Sequence, residues 1–290
     1  MKVRANGMDL EVEVLGEGEP LLLIMGIGAQ LYLWPDALCA MLVDRGFQVI
    51  RFDNRDIGRS TWLDDLDVPD VRRLLARRAV GLQVDADYTL SDMATDAAAL
   101  LEELGHESAH VAGASMGGMI AQHLAIEHPG RVRSLTSIMS TPGARRHVLG
   151  TKPAALKALL AGPTPTTADE AIDRMRVLVA AIGGTEARDD AELSRVARLC
   201  FPHTHPRGFL RHFAAILASG DRTAELARVR SPTLVVHGAL DPLIPWSAGE
   251  ATARAIPGAR FEKRPRMGHD LPRAMQPWLA HALAGQAGLV

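Results

Sequence analysis

Residues 108–128 set a strand pattern directly against a helix pattern, and this junction restricts the fold more than any other feature of the chain. Ser108 to Ala114 reads as a buried strand, and Met116 to His128 reads as a helix. Ser115 lies between them, in the sequence Gly113-Ala114-Ser115-Met116-Gly117. So tight a turn strains the serine backbone, and side chains at the flanking glycine positions would collide with neighbouring chain. The turn leaves the hydroxyl exposed above a helix N-terminus, whose free N–H groups carry partial positive charge. Gly-x-Ser-x-Gly alone arises by chance; the strand before it and the helix after it give it weight. The competing reading is an ordinary strand–turn–helix with the serine as an N-cap.

Other strand patterns surround this junction. Met8 to Leu15 alternates apolar and acidic residues, as a half-exposed strand does, whereas Pro20 to Gly26 is a continuous apolar run suited to burial on both faces. Gln48 to Asp53, Val132 to Met139, Pro232 to His237 and Arg260 to Lys263 are further strands, with helical stretches such as Ser91 to Leu104 between most of them. Strand alternating with helix predicts an α/β fold: a mostly parallel central sheet flanked by helices. Between Pro142 and Arg230 the alternation stops and only helical patterns remain. Thr167 to Glu170 fits a capping box ahead of Ile172 to Ile182, and Asp190 to Leu199 and Arg207 to Ala218 continue the series. Pro163, Pro165, Gly183 and Gly184 divide it into short helices. The expected organisation is a core domain of residues 1–141 and 231–290 with a helical lid inserted at 142–230.

Composition narrows the function. A chain of 290 residues holds one large domain with a modest insertion. A formal net charge of −2 and only 4% aromatics give no broad attraction for nucleic acid or anionic membrane and no stacking platform for bases. Cys39 and Cys200 make neither a disulfide framework nor a metal knuckle. The first residues lack an apolar signal core, and the longest apolar run, Leu21 to Trp34, is too short and glycine-broken to span a membrane. A cytoplasmic location follows as the expectation.

A serine hydroxyl needs a base in reach to act as a nucleophile at neutral pH. Of the 11 histidines, His269 follows the last strand, where α/β sheets gather their catalysts, and Asp241 likewise lies just past a strand end. Three separated motifs, Gly-Ala-Ser-Met-Gly-Gly, His-Gly-Ala-Leu-Asp-Pro-Leu-Ile-Pro and Gly-His-Asp-Leu-Pro, resemble the α/β-hydrolase superfamily over nearly the whole chain. Phe52 to Ser60 resembles the loop after that family's fourth strand. With Met25-Gly26-Ile27-Gly28 it is similar to the branch of small bacterial esterases that includes aclacinomycin methylesterase.

The resemblance implies Ser115 as nucleophile, His269 as base and Asp241 as its partner, in the chain order this fold uses. It also implies an oxyanion hole built from backbone N–H groups. One is that of Met116, and the other is that of Ile27, with Gly28 as the alternative. The family often has His-Gly before this second donor, whereas this chain has Met25-Gly26; a backbone donor tolerates the change.

Other features carry less. His203-Thr204-His205 lacks a third metal ligand, and the glycines near Gly26 lack the third position of a dinucleotide fingerprint. His237, before a glycine at a strand end, reads as a buried histidine or one supporting the site, and His110 and His123 bracket Ser115 in sequence without that placing them beside it in space. Arg72-Arg73 and Arg77-Arg78 read as a solvated helix face, and Arg55 and Asp56 as ties for their loop. Met175, Leu178, Phe209 and Phe213 are the expected lining of a pocket under the lid. The expected reaction is hydrolysis of a neutral, mostly apolar carboxylic ester of small to medium size, with no cofactor and no metal. A lactonase, thioesterase, C–C bond hydrolase or cofactor-free peroxidase would use the same residues, and a non-catalytic binding member of the fold is the reading from another class. A small-molecule ester is the expected partner, with a homodimer as the one assembly entertained.

Overall fold

The strand β3 (Glu19–Ile24) shows why the chain needs so long an apolar run: Leu21, Leu22, Leu23 and Ile24 are all fully buried. Successive side chains point to opposite faces of the sheet, and both faces are covered. The computed structural model describes residues 1–148, 150–160 and 164–290. With β3, the strands β1 (Lys2–Ala5), β2 (Met8–Leu15), β4 (Phe47–Phe52), β5 (Ala109–Ala114), β6 (Val132–Ile138), β7 (Thr233–Gly238) and β8 (Arg260–Arg264) form one sheet in the order β1-β2-β4-β3-β5-β6-β7-β8. From β4 through β3 to β8 every pairing is parallel; β2 joins β4, and β1 joins β2, antiparallel.

The described helices are α1 (Asp36–Val43), α2 (Val71–Ala79), α3 (Leu90–Glu103), α4 (Met116–Glu127), α5 (Arg145–Val148), α6 (Pro153–Leu160), α7 (Ala168–Ile182), α8 (Asp190–Cys200), α9 (Pro206–Ala218), α10 (Trp246–Ala255) and α11 (Gln276–Ala287). Leu21, Leu23, Val49 and Leu234 pack on one face with Leu38 and Leu42 of α1 and Leu279 and Leu283 of α11. Leu22, Ile24, Ile50 and Leu135 pack on the other with Met93 and Leu100 of α3 and Ile120 and Leu124 of α4. Each core layer therefore joins residues far apart in sequence, with the sheet as the shared wall.

Two local features differ from expectation. The first strand, β1, arises from Lys-Val-Arg-Ala, which has little alternation to mark it. It pairs with β2 across Asn6-Gly7, whose φ angles of 47° and 78° are those of a two-residue hairpin turn. At the start of α7, the Thr167 side chain accepts the Glu170 N–H, but the Glu170 carboxylate reaches Thr166 instead of Thr167. The reciprocal half of the box is thus displaced by one residue.

The helices α5 to α9 form an insert between β6 and β7. It leaves and rejoins the core at a narrow neck, where the Arg222 N–H donates to the Pro142 carbonyl at 2.9 Å. The buried Arg222 guanidinium closes the neck by donating to Gln122 Oε1 at 2.8 Å and to the Thr141 carbonyl. Beyond it, Leu226 and Val229 already belong to the core layer of α3 and α4. Pro163, one of the expected helix breaks, lies outside the described residues. No described helix is long and apolar enough to cross a membrane.

Candidate active site

Ser115 adopts φ 56° and ψ −120°, a conformation that side chains rarely take. Such backbone costs about 1–3 kcal/mol and persists only where its surroundings hold it. Here the Ser115 N–H donates to the Ile138 carbonyl at 2.9 Å, and the Ser115 carbonyl accepts the Ser140 hydroxyl at 2.8 Å, so the end of β6 clamps the turn. The flanking glycines are sterically required. A Cβ on Gly113 would lie 2.1 Å from the Gly117 carbonyl oxygen, and one on Gly117 would lie 2.0 Å from that of Ile24.

The loops after β7 and β8 bring Asp241 and His269 to this turn. The Ser115 hydroxyl donates to His269 Nε2 at 2.9 Å, and His269 Nδ1–H donates to Asp241 Oδ2 at 2.7 Å. Asp241 Oδ1 takes the N–H groups of Leu243 and Ile244 at 2.9 and 2.8 Å. Burial pushes the Asp241 carboxyl upward, but His269 and the hydrogen bonds around it outweigh that and hold it at about 2. The carboxylate is therefore ionised at neutral pH, and it fixes the imidazole tautomer whose Nε2 faces the serine. The His269 N–H itself donates to the Ile182 carbonyl at 2.7 Å, so the end of α7 in the insert holds the histidine loop.

On the other side of Ser115 runs the loop after β3. Gly26 lies against the serine: a Cβ there would sit 3.1 Å from Ser115 Cβ. Asn54 Nδ2 donates to the Met25 carbonyl at 3.0 Å, and the buried Asp53 carboxylate accepts the N–H groups of Leu31 and Arg59 at 2.7 and 2.9 Å. Among the described residues the N–H groups of Ile27 and Met116 have no acceptor, whereas that of Gly28 donates to His212 Nδ1 at 3.2 Å. A helix-terminal N–H directly after Ser115 and a loop N–H directly after Gly26, which lies against the serine, are thus both left free.

A cavity of about 330 Å³ begins at Ile27 and Gly28 and runs beneath the insert. Met175, Leu178 and Phe209 line it, together with Leu159 and Phe201. Ser115 and His269 are not in its wall; it approaches them from the side of the Gly26 loop. Phe213 does not line it, contrary to expectation. One turn along α9 from Phe209, it is carried past the cavity and packs with Val84 and Leu217 against Leu74 and Leu75 of α2.

Several other residues singled out in the sequence have structural partners. Of the His203-Thr204-His205 run, His205 bonds the Asp56 carbonyl and Asp64 and stacks on Trp62 at 4.2 Å. No described group of three or more His, Cys, Asp or Glu is arranged to hold a metal. His110 meets Ser134, and His123 meets Glu127. His237 is fully buried beside the triad carboxylate, its Nε2 bonding the Ile244 carbonyl at 3.0 Å and lying 3.3 Å from Asp241 Oδ2. Arg55 is paired with Asp96, and Asp270 accepts the N–H groups of Gly184 and Gly268, so neither of these carboxylates competes for His269.

Sequence reading missed the partners of the Asp56 loop. Arg211 grips the fully buried Asp56 carboxylate with two bonds of 2.5 and 2.7 Å, and the Tyr88 hydroxyl adds a third. His212, next along α9, is also fully buried. The available signal was the placing of Arg-His among Phe209, Phe213 and Ala214, where a helix facing the core would otherwise be apolar.

A serine hydrogen-bonded to a histidine, itself hydrogen-bonded to a carboxylate at the ends of a mostly parallel sheet, defines the class. The chain belongs to the α/β-hydrolase fold family, whose family model matches residues 19–272. It is similar to rhodomycin D methylesterase of Streptomyces peucetius, at 32% identity over 91% of this chain and 89% of that protein. It is also similar to a pimeloyl-[acyl-carrier protein] methyl ester esterase of Chromobacterium violaceum, at 28% identity over 94% of each. Among solved structures, the enol-lactonase of Burkholderia xenovorans LB400 shares the fold with a TM-score of 0.72 and 23% identity, over 99% of this chain and 100% of that one.

Proposed function

We propose that this hydrolase cleaves a carboxylic ester through an acyl-enzyme on Ser115. The reading is carried by the continuous chain from the Ser115 hydroxyl through His269 to the ionised Asp241. In the proposed reaction Ser115 Oγ attacks the carbonyl while His269 Nε2 takes its proton and later delivers it to the leaving alcohol. Asp241 stabilises the imidazolium and is never protonated. The N–H groups of Ile27 and Met116 receive the oxyanion. Water, deprotonated by His269, then releases the acid.

The insert of α5 to α9 acts as a lid in this reading, with its hydrophobic underside forming the acyl or alcohol pocket. The apolar lining and the volume of about 330 Å³ suit a neutral ester of small to medium size. Likeness to two methyl ester esterases supports a small alcohol group. The test is a screen of p-nitrophenyl esters from acetate to palmitate, with methyl esters of bulky aromatic acids added. Turnover of the short and middle chains or of the methyl esters is expected. A folded protein that hydrolyses none of them above the blank would refute the reading.

A further inference from the structure

Helix α9 is docked on the loop after β3 by two residues one turn apart. The ring of Phe209 lies against Gly28, so closely that a Cβ on that glycine would sit 2.5 Å from Phe209 Cδ2. Gly28 has φ 63°, and that backbone turns its N–H toward the next turn of α9, where His212 Nδ1 accepts it at 3.2 Å. His212 Nε2–H donates in the opposite direction, to the Arg55 carbonyl at 2.8 Å. The ring therefore carries its proton on Nε2 and its lone pair on Nδ1. Both ring nitrogens are spent, and no solvent reaches the side chain. At Gly208 the same helix approaches the Asp56 carbonyl so closely that a Cβ would meet it at 1.8 Å.

The N–H groups of Ile27 and Gly28 are the two that follow Gly26, the residue lying against Ser115, and His212 consumes the second of them. We propose that His212 is a positioning residue for the oxyanion site: by accepting the Gly28 N–H it selects Ile27 as the loop's donor and fixes that donor relative to α9. His212 touches no substrate in this account. It makes the orientation of an oxyanion donor depend on a helix of the insert, so the lid and the catalytic loop move as one piece. The inference rests on the esterase reading, and it adds a residue outside the triad and the hole.

Three variants of the full chain separate the two hydrogen bonds. His212→Asn can place an acceptor oxygen near the Nδ1 position, His212→Gln can place its amide near the Nε2 position, and His212→Phe offers neither. With p-nitrophenyl butyrate, His212→Gln and His212→Phe should lose about 10- to 100-fold in kcat with KM changed less than about 3-fold, because a misplaced oxyanion donor weakens the transition state and not substrate binding. Butylboronic acid, whose serine adduct puts an oxygen anion in the same site, should weaken in parallel. His212→Asn should stay within about 5-fold of the wild type, whatever each variant does to the melting temperature. Equal losses in the Asn and Gln variants, or losses that track only the melting temperature, would overturn the assignment. Amide NMR of the wild type tests it without any variant: the Gly28 N–H should resist exchange, and the Ile27 N–H should shift when Ser115 is phosphonylated. The reverse pattern contradicts the proposal. A wild type that neither turns over esters nor reacts with a fluorophosphonate removes the esterase reading and this inference together, whereas an active wild type with indifferent variants removes this inference alone.

Discussion

The strand ends and the helical insert hold their residues around Ser115 by different means. At the ends of β5, β7 and β8 the constraint is local and mostly backbone. Gly113 and Gly117 have no room for a side chain, and the N–H groups of Leu243 and Ile244 seat Asp241 from two and three residues away. The insert instead relies on contacts across the chain. The Ile182 carbonyl receives the His269 N–H, Arg211 reaches Asp56, and His212 reaches both Gly28 and Arg55. The first region can build the reactive groups, and the second can set how they are aimed and what they admit. Damage to the two should therefore read out differently.

The largest effect is expected at the strand ends. Ser115→Ala should lower ester turnover by several orders of magnitude, and Asp241→Asn by about 10³- to 10⁴-fold in kcat, with little change in the melting temperature of the serine variant. Steady-state rates with an active-site-titrated wild type as reference check both. A Ser115→Ala protein that keeps a tenth of the wild-type rate would break the comparison at its first term.

In the insert the largest loss should be of stability. Burial raises the Asp56 carboxyl, but the Arg211 hydrogen bonds outweigh it and keep the group below the usual carboxylate range. Arg211→Met leaves that charge buried without its main partner, at a cost of about 3–5 kcal/mol, or roughly 5–8 °C in melting temperature. Calorimetry should show the drop, and an unchanged melting temperature would mean that Asp56 is satisfied by Tyr88 and the Leu63 N–H alone.

A smaller effect concerns acid. Burial depresses His212 to about 4, with Arg55, Asp56, Arg211 and Tyr88 facing it. The unfolded chain takes up this proton near pH 6.5 and the folded chain only near 4, so the stability contributed by neutral His212 is complete above about pH 6.5 and is lost as pH falls toward 4. Asp53, raised to about 6 by its burial, acts in the opposite sense over part of this range. The difference in urea stability between wild type and His212→Asn should therefore shrink by about 2 kcal/mol from pH 7.5 to pH 5. A difference independent of pH would contradict the neutral, doubly bonded imidazole.

The smallest effect should be on selectivity. Phe209→Ala enlarges the cavity beside Gly28 and should shift the preference between butyrate and longer acyl chains by about 10-fold, with Met175→Ala and Leu178→Ala shifting it less. If all three lower only the melting temperature, the insert pads the core and is not a lid.

The same contrast explains what was legible in the sequence. The central strands, the turn at Ser115 and the loop positions of Asp241 and His269 are written in short runs, because glycine spacing, apolar runs and motif order act over a few residues. The capping of α7 was legible for Thr167 but not for the Thr166–Glu170 half, since a one-residue shift leaves the same letters in place. Asn6-Gly7 carried a hairpin signal that a search for apolar alternation passes over. Arg211 and His212 could not be matched to partners about 155 residues away by any local pattern. The same holds for Phe213, whose exclusion from the cavity depends on where α2 packs.

The central claim, that His269 activates Ser115 as a nucleophile, is tested most directly by a fluorophosphonate with the adduct located by mass spectrometry. The wild type should carry one adduct, on Ser115. Ser115→Ala should carry none, and His269→Ala should label at least about 10³-fold more slowly. Labelling of another residue, or of Ser115 at an unchanged rate without His269, would contradict the account.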